Sequence, residues 1–165
     1  MSYCCNKGNV TGEHVNGGIV GNNRGKIQYV YNIANQIKST RMESGGGNAG
    51  GIAGNNNPPE YEISIQYAYN TSKIVANDYS GGIVGGFYAG TVDYTYNMGK
   101  FDTVTNKAVG EIKGDGKLTP TNSKPVTETE MKGWNQDTIN TNLQNFIKKE
   151  NSLPILNITV RNVTF

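Results

Sequence analysis

The pattern Tyr-x-(Tyr/Cys)-Asn occurs four times in this chain, ending at Asn6, Asn32, Asn70 and Asn97. Between the copies runs a second pattern: Gly17-Gly18-Ile19-Val20-Gly21, Gly50-Gly51-Ile52-Ala53-Gly54 and Gly81-Gly82-Ile83-Val84-Gly85. A worn copy follows at Asn106-Lys107-Ala108-Val109-Gly110, with Lys107 where a glycine is expected. One unit of about 26 residues is thus copied about three and a half times, and self-similarity at such a period means a stacked array. The Asn-to-Asn spacings are 26, 38 and 27. Two insertions, around Lys38–Asn48 and Asn55–Glu62, account for the long one. Their Ser-Gly-Gly-Gly and Asn-Asn-Asn-Pro-Pro composition is that of solvated loops leaving the stack.

Within a unit, Lys26–Tyr31, Ser64–Tyr69 and Thr91–Tyr96 are rich in β-branched and aromatic residues and read as strands. The closing Asn suits a corner, because it tolerates left-handed backbone and its amide can bond its own backbone or the Asn stacked on it. A small residue follows (Gly8, Ala34, Ser72, Gly99), then an apolar one (Val10, Ile37, Ile74, Phe101). The unit is expected to run strand, corner, strand, loop, Gly-rich strand, turn, strand. Identical segments pairing along a stack satisfy backbone groups between units and let glycine backbones approach closely. The expected fold is all-β, a β-solenoid of about three and a half coils with neighbouring strands about 4.8 Å apart. A right-handed parallel β-helix is its expected form, although periodicity alone sets no hand.

A narrow interior would be overfilled by two tyrosine rows. The small residues Cys4, Val30, Ala68 and Thr95 suit an inward row. A bend or bulge between positions 27 and 30 would turn Ile27, Ile65 and Val92 inward as well. Much of the tyrosine is then expected outside, as a ladder of Tyr29, Tyr31, Tyr67, Tyr69, Tyr94 and Tyr96. Such a ladder either braces the units by stacking on itself or presents a surface to saccharide or protein partners.

Composition closes other routes. Only 35% of residues are hydrophobic and 22 are glycine, so a thin core repeated many times is affordable where a broad one is not. The 15 basic and 13 acidic residues are scattered, and a net charge of +2 gives no field for nucleic acid or anionic lipid. No apolar run of about 18 residues is present for membrane insertion. Cys4 and Cys5 are neighbours whose disulfide would be strained, so one buried and one exposed thiol are expected. His14 is the one histidine, without a second ligand at metal spacing, and Asp93, Asp102 and Asp115 fall at unrelated points of the unit. No catalytic residue, metal or cofactor is indicated.

After Leu118 the periodicity stops, which divides the chain into repeats (1–118) and a tail (119–165). Residues 119–126 read as a linker or crossing segment. Ile139, Leu143, Phe146 and Ile147 form one apolar stripe of a helix expected over 137–149, with Asp137 as N-cap and Lys148-Lys149 at the far end. Leu153–Leu156 and Ile158, Val160 and Val163 read as one or two terminal strands. Because an open stack exposes strand edges, this helix-plus-strand tail is expected to cap the end.

The Gly-Gly-Ile-Val-Gly, Gly-x-Ile and Tyr-Asn-x-Gly repeats, followed by Met131-Lys132 and Leu153-Pro154-Ile155-Leu156, resemble the GLUG-motif repeats of bacterial surface proteins. The resemblance implies a β-helical extracellular module of a larger secreted or cell-surface polypeptide, adhesin-like or an accessory region of a surface protease. It carries no catalytic residues across, since the motif residues are architectural. The expected function is therefore a non-enzymatic structural or adhesive module, a spacer or a scaffold presenting a ligand to a host or cell-surface glycan or protein. The alternative is a carbohydrate-active β-helix enzyme with its site in the insertions at 38–62.

Overall fold

The computed structural model describes residues 1–41, 47–57, 62–100 and 123–158, and the backbone of 111–112. The worn repeat at Asn106–Gly110, Phe101, Asp102, Asp115, Val160 and Val163 lie outside the described residues, as do the middles of both insertions.

The first three repeats contribute four strands each. The first has β1 (Ser2–Asn6), β2 (Val10–Gly12), β3 (Val15–Gly17) and β4 (Val20–Asn23). The second has β5 (Lys26–Asn32), β6 (Gln36–Ser39), β7 (Asn48–Gly50) and β8 (Ala53–Asn56). The third has β9 (Ser64–Asn70), β10 (Lys73–Val75), β11 (Ser80–Gly81) and β12 (Val84–Phe87). β13 (Thr91–Asn97), β14 (Glu111–Ile112) and β15 (Lys124–Pro125) follow. The tail then forms α1 (Glu128–Gly133), α2 (Gln136–Asn142), β16 (Phe146–Ile147) and β17 (Ile155–Leu156).

The described residues are mostly strand, and each repeat strand lies parallel to its counterpart in the next unit. The sheets run β1-β5-β9-β13-β15, β2-β6-β10, β3-β7-β11 and β4-β8-β12-β14. Equivalent residues pair: Asn6 with Asn32, Asn32 with Asn70, Asn70 with Asn97, and Val10 with Ile37 with Ile74. The insertions that lengthen the second unit leave this register intact, so the repeat pattern, not chain length, sets which strands meet.

The expected bend is present and has a simple form. Tyr3, Tyr29, Tyr67 and Tyr94 all adopt left-handed backbone, with φ of 56°, 54°, 52° and 48°. The single kinked residue reverses the alternation of the strand, so Ile27 and Val30, three apart, both face inward. They join Ile52, Ala53, Ile65, Ala68, Ile83, Val84, Phe87 and Val92 in one buried cluster that contains no tyrosine. The left-handed residue is not the corner Asn, which its tolerance of that backbone suggests, but the tyrosine three residues earlier.

The Asn corner acts through its side chain. Asn6 Nδ2 donates to Asn32 Oδ1 at 3.0 Å, Asn32 Nδ2 to Asn70 Oδ1 at 2.9 Å, and Asn70 Nδ2 to Asn97 Oδ1 at 2.9 Å. Each Oδ1 also accepts from the backbone two residues on, at Gly8, Ala34, Ser72 and Gly99. Asn32, Asn70 and Asn97 are fully buried, and such amides are tolerated in a core only when satisfied in this way.

The glycine pattern follows from the same row. Strands β3 and β4, β7 and β8, and β11 and β12 are separated within the Gly-Gly-Ile segment, which is therefore a tight corner between two strands instead of one Gly-rich strand. A Cβ on Gly51 would lie 2.0 Å from the Gly82 carbonyl oxygen and 2.3 Å from Asn70 Cγ. One on Gly82 would lie 2.0 Å from Asn97 Cγ. Only glycine lets the corner close onto the amide row.

The tail differs from expectation. The helix ends at Asn142 because Leu143 leaves helical dihedrals and Asn145 turns left-handed at φ 61°. Phe146–Ile147 then pairs antiparallel with Ile155–Leu156. The N-cap is Asn135, whose side chain accepts from Thr138 N, and Asp137 sits in the first turn. Lys148 Nζ donates to the Lys149 and Ser152 carbonyls, tying the β16–β17 connection instead of a helix end. Helix α1 lies between the expected elements; Thr127 caps it by accepting from Glu130 N. Of the expected crossing segment, Lys124 and Pro125 add a short parallel strand to β13. Ile158 is exposed and outside any strand. The helices and β16–β17 pack on the side of the stack, where Val126, Met131, Ile139, Leu143, Phe146 and Leu156 bury Tyr31, Tyr69 and Tyr96.

Candidate functional site

The six tyrosines proposed as a partner surface separate into two rows with different fates. Both rows lie outside the inner cluster, as a narrow core requires. Tyr31, Tyr69 and Tyr96 are only 8%, 1% and 2% exposed beneath the tail. These three present no surface, which corrects the expectation that both rows face a partner. Their rings are spent on packing: Tyr31 and Tyr69 stack at 5.2 Å, both meet Phe146, and Tyr96 meets Trp134 edge-on at 5.0 Å. The Tyr69 hydroxyl donates to the Pro154 carbonyl at 2.7 Å. Burial raises the phenol pKa of all three; that of Tyr31 is pushed up to about 12, with the Cys5 side chain adding to the burial effect.

Tyr29, Tyr67 and Tyr94 are half-buried, and the exposed Tyr3 continues their row. Centroids are 5.1 Å apart for Tyr3 and Tyr29, 5.3 Å for Tyr29 and Tyr67, and 5.2 Å for Tyr67 and Tyr94. The two inner pairs are near-parallel at 10° and 14°. The left-handed kink aims these rings outward in register, and stacking repays part of the kink, at roughly 0.5–1.5 kcal/mol per ring pair. Beside them runs a polar row in which Gln28 Nε2 donates to Gln66 Oε1 at 2.8 Å, with Asp93 paired to Gln66 in register.

This geometry limits what the ladder can recognise. An aromatic platform for sugars needs an open ring face, but each inner ring has both faces occupied by its neighbours. The row therefore offers ring edges and phenol hydroxyls, flanked by amides. Among the described residues the row ends at Tyr3, 44% exposed, and at Tyr94, whose one ring partner is Tyr67. A hydrogen-bonding track fits this surface better than a stacking platform. Burial and the neighbouring tyrosines raise the pKa of Tyr67, so its hydroxyl is a neutral donor and acceptor at physiological pH.

Elsewhere among the described residues the chemistry is sparse. The His14 ring lies 2.7 Å from the Arg41 guanidinium, so Nδ1 is the acceptor, and Glu13 is 3.9 Å from Nε2. A cleft of about 480 Å³ between α1 and the strand corners is lined by Asn35, Thr71, Lys73, Met98, Lys100 and Glu128. Among the described residues no group of three or more His, Cys, Asp or Glu could hold a metal ion, and no helix is long and apolar enough to cross a membrane. Cys4 packs against the inner cluster and Cys5 is exposed, both as free thiols. Sequence reasoning missed the burial of the second tyrosine row. Its signal was the surplus of apolar residues in the tail, Met131, Ile139, Leu143, Phe146 and Leu156, which two helical turns cannot bury against each other.

Comparison with protein-family models, with curated proteins and with solved structures returns no match for this chain.

Proposed function

We propose that the chain is a β-solenoid, a right-handed parallel β-helix of about three and a half coils, serving as a non-enzymatic structural or adhesive module of a bacterial secreted or cell-surface protein. The observation that carries this reading is the in-register pairing of chemically equivalent residues from unit to unit, above all the buried Asn row. Side chains are invested in holding coil to coil, as suits a rigid spacer or presenting scaffold. The GLUG-like repeats supply the surface-protein setting, and the candidate ligand face is Tyr29, Tyr67 and Tyr94, with a host or cell-surface glycan or protein as its partner.

A glycan and host-protein array probed with the chain, and with Tyr29, Tyr67 and Tyr94 all replaced by Ala, tests the proposal. Binding that disappears in the triple variant supports a presenting scaffold; absence of binding supports a spacer. Depolymerisation of an offered polysaccharide would overturn the non-enzymatic reading.

A further inference from the structure

We infer that the exposed tyrosine row is a site of oxidative cross-linking, at which a peroxidase-class one-electron oxidant joins neighbouring repeat units through dityrosine. Tyr29, Tyr67 and Tyr94 come from successive strands of one sheet, with centroids 5.3 and 5.2 Å apart, and Tyr3 stands 5.1 Å from Tyr29 at a tilt of 32°. Two phenoxyl radicals held this close meet without diffusion, and a roll about the side-chain torsions brings their ortho carbons together. Each phenol gives up one electron and one proton, a carbon–carbon bond forms between the ortho positions, and each ring returns its ortho hydrogen to oxygen by tautomerisation. Hydrogen peroxide takes up both electrons and both protons and leaves as two waters. The coupling requires only the geometry of the row, whatever the module binds.

The fold supplies an internal control. Tyr31 and Tyr69 are stacked as closely, at 5.2 Å and 7°, but they lie under the tail against Phe146, where an enzyme-sized oxidant has no access and the rings no room to roll. Geometry alone would couple both rows, whereas geometry with access couples only one.

The test treats dilute protein with a haem peroxidase and hydrogen peroxide, following dityrosine fluorescence, monomer content by denaturing gel and cross-linked peptides by mass spectrometry. The expected product is monomeric, lighter by two hydrogens per link, with links within Tyr3, Tyr29, Tyr67 and Tyr94. Tyr67→Phe, which keeps the stacked ring, should remove both links that involve position 67. Tyr94→Phe should remove one of them, and Tyr69→Phe should leave the pattern unchanged. Products that are chiefly intermolecular and grow with protein concentration, Tyr31–Tyr69 links as abundant as those of the exposed row, or no dityrosine at all would each overturn the inference.

Discussion

At the residue scale, the fold rests on two unusual choices made at equivalent positions. A tyrosine in left-handed backbone costs on the order of 1–3 kcal/mol, yet Tyr3, Tyr29, Tyr67 and Tyr94 all adopt it. The kink places two inward residues three apart and aims a ring outward, so core filling and stacking offset the strain together. The second choice is glycine against the Asn row. Gly51→Ala would put a Cβ into Gly82 and Asn70 and should cost about 3 kcal/mol or more, at the upper end of overpacking penalties. Gly25→Ala, where the added Cβ meets nothing within 4 Å, should be nearly neutral. Urea denaturation of the two variants checks the contrast; equal losses would remove the close-approach explanation of the Gly-Gly pattern.

At the scale of elements, the tail is a side clasp. Its α1, α2 and β16 cover Tyr31, Tyr69 and Tyr96, one residue from each of β5, β9 and β13, so the clasp spans three successive units. Covering phenols has a consequence at high pH. Free tyrosine ionises near 10.0, while Tyr31 is pushed up to about 12 and Tyr69 and Tyr96 are raised in the same direction. Above pH 10 the unfolded chain therefore releases protons that the folded chain retains. The contribution of these groups is fully present below pH 10 and falls as pH rises through the window to about 12. Tyr31→Phe should make that fall shallower; urea midpoints measured across the window test it, and an unchanged slope would contradict the buried-phenol account.

The strand repeats were legible because their period, β-branched content and closing Asn are local signals. The bend was legible too, since Ile27 and Val30 could not otherwise share a core, although its left-handed residue was misplaced. The tail was not. Ile139, Leu143 and Phe146 are buried as the helical stripe implied, but Phe146 reaches the core from a strand after the left-handed Asn145. A stripe records which residues are buried, not the backbone that delivers them. Helix α1 did carry a signal, Thr127 three residues before Glu130, the spacing of an N-terminal cap. The candidate site was half legible: outward rows follow from a narrow core, whereas covering one row depends on tertiary packing of the tail.

At the scale of the whole molecule, a stack of like units tends to unfold piecemeal, because each unit touches only its neighbours. Two features oppose that here. The Asn row runs through every paired unit, and the clasp ties three of them to one small cluster that includes the Tyr69 hydroxyl on Pro154. The proposed role as a rigid spacer or scaffold depends on this coupling, since a stack that frays unit by unit would yield under load and lose the register of its exposed tyrosines. Site-resolved amide hydrogen exchange at increasing urea reads the coupling directly. Strands β5, β9 and β13 and helix α2 should open together, at one common free energy with one common urea dependence. A staircase, with α2 opening first and the strands following unit by unit, would contradict the clasped stack.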